Sequence, residues 1–164
     1  VVLEVNNWRN GAYTSNVESW IDNISVTPTA PYTSLSVTNH EISASTGGGS
    51  YLNLNKNPAF ANTDYIIITC ISGTSPGFYL TGQWIPMNMD VWTFIAFNLI
   101  NTPVMLNFMG TLDNNGDATA TFQFLIPEPA AAGLPMYFSY MLLSGPGQTP
   151  VLGSGNPVYI LFTP

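Results

Sequence analysis

Turn chemistry interrupts this chain so often that few stretches leave room for a helix of ordinary length. TGGGS (46–50), NKNPAFANTD (55–64), SGTSPG (72–77), INTP (100–103), PEPAAAGLP (127–135), SGPGQTP (144–150) and GSGNP (153–157) place Gly, Pro and Asn at short intervals. These residues supply positive or fixed φ where a chain reverses. What lies between is apolar or alternating, and a sustained helical period is absent. The spacing predicts an all-β fold, an antiparallel β-sandwich of Ig-like or jelly-roll type. Strands are expected at 35–37, 41–44, 51–55, 65–72, 78–84, 92–98, 104–112, 118–126, 136–142 and 158–162, with 92–99 open to a short helix instead. The core is expected to be aromatic, drawing on Tyr65, Phe78, Trp84, Phe94, Phe97, Phe108, Phe122, Phe124, Tyr137, Phe138 and Tyr140.

The N-terminal part is organised differently. Val1 to about Pro28 holds a strand-like VVLEV, a turn near Arg9-Asn10-Gly11, and the weakly alternating SWIDNISVTP. TPTAPYT (27–33) follows, with two prolines in seven residues, and reads as an extended linker. The expected organisation is an N-terminal β arm and linker over 1–30 and a sandwich over 31–164. A lone strand pair is marginal in water and needs a sheet edge to join. The arm residues Val1, Leu3, Val5, Trp8, Trp20, Ile21, Ile24 and Val26 are therefore candidates for strand addition to a neighbouring molecule.

Composition narrows the function classes. Only 7% of the 164 residues are charged, against roughly 25% in ordinary soluble domains. Arg9 and Lys56 are the only cations and the net charge is −7. Two cations cannot neutralise a phosphate backbone, which argues against nucleic acid as a partner. No apolar run reaches the ~18 residues of a spanning helix, so no membrane insertion is expected. The chain opens on VVLEVNNW without a visible signal peptide, so a secreted form would be a mature or trimmed product. A surface built from Asn, Thr, Ser and Gly has little charge to oppose self-association. Cys70, the single cysteine, rules out an intrachain disulfide and reads as a small buried hydrophobe, with Ile66 and Ile68 on its face of a strand.

Candidate chemistry is sparse. GTLDNNGDATATF (110–122) gathers Asp113, Asn114, Asn115 and Asp117 around Gly116, like part of a calcium loop. The glutamate that such a loop needs at its twelfth position is Phe124. The Asn-Gly pair favours a hairpin turn, and Asp113 and Asp117 are left as weak candidates for a surface calcium. No other cofactor is expected. His40, the only histidine, has no partners in the pattern for a zinc site or a nucleophile elbow. Asp64, Asp90 and Glu128 are scattered through loops, without the pairing that glycoside cleavage needs. Phe78, Tyr79 and Trp84, around the SGTSPG turn, are candidates for stacking on sugars.

The order of motifs resembles a known kind of domain. PYTSLSVTNHEISASTGGG, then NPAFANTDYIIITCISGTSPGFYL, NTPVMLNFMGTLDNNGDATATF and AAGLPMYFSYML, are similar to the C-terminal β domain of large secreted proteins of planctomycetes and related environmental bacteria. The resemblance covers about 32–164 and implies secretion and a non-enzymatic accessory role. Cys70 stands where that domain has a small residue. SWIDNISVTP resembles the last strand of a concanavalin- or laminin-G-like jelly roll. The resulting expectation is an extracellular or cell-surface structural subunit that is not an enzyme. Its partner is itself, in a filament or surface layer built by strand addition. The alternative is a non-catalytic module that binds carbohydrate or cell-wall polymer within a larger secreted protein.

Overall fold

A computed structural model describes residues 35–143 and 151–164. The expected arm, its candidate residues from Val1 to Val26 and the boundary near residue 30 lie outside the described residues. In chain order the elements are β1 (Leu35–Val37), β2 (Glu41–Ser43), β3 (Gly48–Asn55), β4 (Asp64–Cys70), β5 (Phe78–Leu80), β6 (Gln83–Ile85) and α1 (Val91–Phe97). After them come β7 (Met105–Leu106), β8 (Met109–Thr111), β9 (Asp117–Phe124), β10 (Pro135–Leu143), β11 (Val151–Ser154) and β12 (Val158–Thr163). The fold is all-β, a sandwich of two sheets. One has the order β1-β3-β9-β7; the other has the order β2-β12-β10-β4-β8, with β11 also on β10. Pairing is antiparallel except between β2 and β12.

Period-two alternation decides which side chains meet between the sheets. β3 sends in Leu52 and Leu54, and β9 sends in Ala120 and Phe122. Tyr65 and Ile67 of β4, Phe138 and Tyr140 of β10, and Ile160 and Phe162 of β12 face them. The rings meet edge-on or tilted. Phe122 and Phe138 are 5.5 Å apart, Phe108 and Phe138 6.1 Å, and Phe124 and Phe162 4.7 Å. Of the expected aromatic core, Tyr65, Phe108, Phe122, Phe138 and Tyr140 are fully buried, whereas Trp84, Phe94 and Phe97 are exposed.

β4 is buried on both faces, which explains why YIIITC reads as a continuous apolar run. Its second face carries Ile68 and Cys70 into a smaller core with Met141, Ile85 and Met87, with Ile66 and Phe78 packed against it. Cys70 is buried as expected, and its thiol donates to Gly73 O at 3.2 Å. Burial, with Asp90 nearby, raises the thiol pKa above its ordinary value against opposing backbone hydrogen bonds, which disfavours the reactive thiolate.

Three expected strands turn out differently. Residues 78–84 form a two-stranded hairpin, because Thr81 and Gly82 both take positive φ, as a tight hairpin turn demands. Val91–Phe97 form α1, the short helix that the sequence left open as the alternative to a strand. The run 104–112 breaks at Asn107, which has φ 56°, and Phe108 plunges into the core. Met105–Leu106 therefore pairs with β9 in one sheet, while Met109–Thr111 pairs with β4 in the other.

Edge strands β1 and β8 are each clamped at one residue by an asparagine, with no lysine, a common edge guard. The Asn101 side chain copies a strand against Met109, donating to its carbonyl (2.9 Å) and accepting its N–H (3.2 Å). Asn156 does the same at Leu35, donating at 3.1 Å and accepting at 3.4 Å.

Candidate functional site

The helix α1 has its faces reversed. Val91, Trp92, Phe94, Ile95 and Phe97 are β-branched or aromatic, types that favour strands. A capping box overrides them. Asp90 Oδ1 accepts the Thr93 N–H at 2.8 Å, and Thr93 Oγ1 accepts the Asp90 N–H at 3.2 Å. Asp90 Oδ2 accepts the N–H groups of Ile71 and Ser72, both at 2.9 Å, which pins the helix start to the end of β4. The helix then turns Thr93 and Ala96 inward, leaving Val91 (77% exposed), Phe94 (59%) and Ile95 (48%) on one solvent face at i, i+3 and i+4. Met89 and Phe97 extend this apolar surface, and Ile71, whose N–H Asp90 holds, is exposed as well.

Asp90 also carries a pH signature. Partial burial works to raise its pKa, but hydrogen bonds from Ile71, Thr93 and Ser72 outweigh it, and the carboxyl sits below the ordinary aspartate value. A depressed folded pKa contributes stability that is complete above the unfolded value, near pH 4, and is lost as pH falls through the folded one. We expect acid unfolding of Asp90→Asn to show a shallower loss below about pH 4 than the wild type. At pH 7 we expect a cost of about 1–3 kcal/mol, because asparagine still caps the helix but turns an amide donor toward the Ile71 and Ser72 N–H groups, which lose their acceptor. Parallel acid-titration curves for the two proteins would contradict this role.

A second surface feature is a groove of about 370 Å³ on the outer face of the four-stranded sheet. The register sets Gly49 opposite Gln123 and Tyr51 opposite Thr121. With no side chain at Gly49, the row is open between Tyr51, 56% exposed, and the loop at Leu125. Asn39 closes the edge of β3 beside it, donating Nδ2 to Gly49 O and its own N–H to Ser50 Oγ, both at 3.0 Å.

The residues singled out in the sequence separate. Tyr79 and Trp84 do meet across the β5–β6 hairpin, with ring centroids 4.9 Å apart, but tilted by 59° rather than coplanar. Trp84 also lies over Gly77, where any Cβ would strike its ring. Phe78 turns away from this pair and packs on the smaller core. The Asn115-Gly116 turn forms, yet the strands around it belong to different sheets, so it is a crossover and not a hairpin tip. Asp113 Oδ1 is used inside the loop, accepting the N–H of Asn115 (2.8 Å) and of Asp117 (2.9 Å). Those bonds hold its pKa below the ordinary value. No group of three potential metal-ligating residues gathers among the described residues.

Asp64 accepts from Thr111 Oγ1 (2.6 Å), and Glu128 caps a short 3-10 turn through the Ala130 N–H (3.2 Å). Asp64 thus ties β4 to its neighbour β8, and Glu128 serves its own turn, as Asp90 caps α1. His40 Nδ1 bonds Tyr159 O at 3.1 Å, just ahead of β2. The apolar face of α1 was missed in the sequence, although Asp90-x-x-Thr93 ahead of an apolar run is the signal that locates it.

No family model and no curated protein matches this chain. Among solved structures, the ASH / PapD-like domain of human CEP192 (PapD-like domain 7) is similar over 91% of this chain and 96% of that one, at 11% identity and a TM-score of 0.39.

Proposed function

We propose that the chain is a non-catalytic structural subunit, placed at the cell surface or outside the cell, that assembles with copies of itself into a filament or surface layer. The observation that carries this reading is the reversed helix. A buried threonine and alanine face the protein, while Val91, Phe94 and Ile95 face water. With Met89 and Phe97 the exposed apolar side chain is on the order of 400 Å², within the range of about 300–600 Å² for the largest, often functional, patch of a small protein. Val91–Phe97 carries no charged side chain, so the helix itself sets no like charges against a second copy. Lys56, the only lysine, is bonded to the Tyr140 hydroxyl at 2.9 Å and lies over the Phe60 ring.

The arm at 1–30 is a second contact in this proposal, adding a strand to a neighbour. At Leu35 and Met109 it would have to displace an asparagine clamp, so it would have to compete for those edges.

The test is the size of the full chain by light scattering, beside Val91→Asp/Phe94→Asp and a chain lacking residues 1–30. The two substituted side chains are exposed, so the fold should hold. We expect the double variant to dissociate at concentrations where the wild type is assembled, and removal of the arm to shorten or abolish the polymer. Assembly unchanged in the double variant would remove α1 from the interface, and normal polymers without residues 1–30 would remove the arm.

A further inference from the structure

From the groove between Gly49, Tyr51, Thr121, Gln123 and Leu125 we infer a binding site for a neutral polysaccharide chain. Its size, about 370 Å³, falls in the range of small-molecule sites, roughly 300–1,000 Å³. Its chemistry selects the ligand class. Tyr51 presents a half-exposed ring, against which the C–H face of a sugar ring can pack. Directly opposite is Thr121 and, two pairs along on the same face, Gln123, which supply a hydroxyl and an amide for sugar hydroxyls. Among the described residues these two side chains and the Tyr51 hydroxyl have no hydrogen-bond partner. Gly49 keeps the floor at backbone height; a side chain there would begin 3.0 Å from Phe122 O and fill the gap between the two rows.

Charge decides between ligand types. Among the described residues the groove is lined by no charged side chain, so an ionic ligand would lose hydration there without gaining a counter-charge from them. The net charge of −7 also repels acidic polymers. An extended peptide strand is disfavoured at this place, because Asn39 already occupies the Gly49 carbonyl on the edge of β3. What remains is a long, uncharged, hydroxyl-rich chain lying across the face of the sheet. This site does not depend on the assembly reading, since it is built from β3 and β9 and the assembly face from α1.

The experiment is affinity electrophoresis of the full chain in native gels. The gels contain hydroxyethylcellulose, a galactomannan or, as the acidic comparison, alginate. The background protein is Val91→Asp/Phe94→Asp, so that assembly does not obscure migration; if that variant still assembles, retardation is read relative to a polymer-free gel. We expect retardation by at least one neutral polymer and none by alginate. Tyr51→Ala should weaken the retardation about tenfold in apparent Kd and Gln123→Ala should weaken it several-fold, both with unchanged near-UV circular dichroism. Tyr79→Ala should have no effect. Absence of retardation in both neutral gels would overturn the inference. So would retardation that survives Tyr51→Ala and Gln123→Ala, or that disappears with Tyr79→Ala, which would place binding on the β5–β6 hairpin.

Discussion

Phe138→Ala is expected to remove about 3–5 kcal/mol of stability, which is a large part of what a domain of this size has. Phe138 is wholly buried on β10, the strand that pairs with β4, β11 and β12. Its ring meets Phe108 and Phe122, one from the crossing segment before β8 and one from the opposite sheet. Truncation therefore leaves a cavity where both sheets meet, and three neighbouring elements cannot all collapse into it. Urea unfolding followed by tryptophan fluorescence would show the midpoint falling by more than ~1 M at an ordinary slope for such a domain. Phe138→Leu keeps most of the volume and should cost far less, below about 1.5 kcal/mol. An alanine variant within about 0.5 kcal/mol of the wild type would mean that the core is not organised around this ring.

Gly116→Ala should be the second most damaging change, at about 2–4 kcal/mol. Gly116 has φ +82°, and a Cβ there would fall on the backbone carbonyl of Asn57, which cannot swing aside as a side chain can. Lys56 N–H also donates to Gly116 O at 3.0 Å, so the two loops are tied together at this point. Gly82 provides the comparison. Its φ is +85°, but nothing lies within 4 Å of an added Cβ, so Gly82→Ala bears the conformational strain alone, about 1 kcal/mol. The difference between the two variants in the same urea experiment isolates the clash. Equal losses would show that the loops separate freely and that Gly116 is needed only for its backbone angle.

The fold class was readable because turn residues and period-two runs are local signals. Leu52, Leu54, Ala120 and Phe122 fall inward by alternation alone. The errors come from places where one or two residues redirect the chain. Asn107, in the left-handed region, splits an apparently continuous strand between two sheets. Thr81-Gly82 folds a single expected strand back on itself. Between the strand and the short helix that the sequence left open at 92–99, Asp90 decides for the helix by satisfying N–H groups at two places in the chain. Burial was harder to read than structure type. The rings of Phe94, Phe97 and Trp84 are core residues by composition and surface residues by position. The groove was invisible in the sequence, because it needs the pairing of Gly49 with Gln123, 74 residues away, and no local pattern encodes that register.

Two surfaces thus follow from one compositional habit. With almost no lysine or arginine, the chain clamps edge strands β1 and β8 with asparagine amides and leaves apolar or neutral polar faces toward solvent. The apolar face suits a second copy, and the neutral polar face suits an uncharged polymer. The most direct test of assembly is negative-stain electron microscopy of the full chain, isolated without denaturant. Regular filaments or sheets with a subunit repeat of a few nanometres are expected, and a uniform field of dispersed single particles would contradict the account.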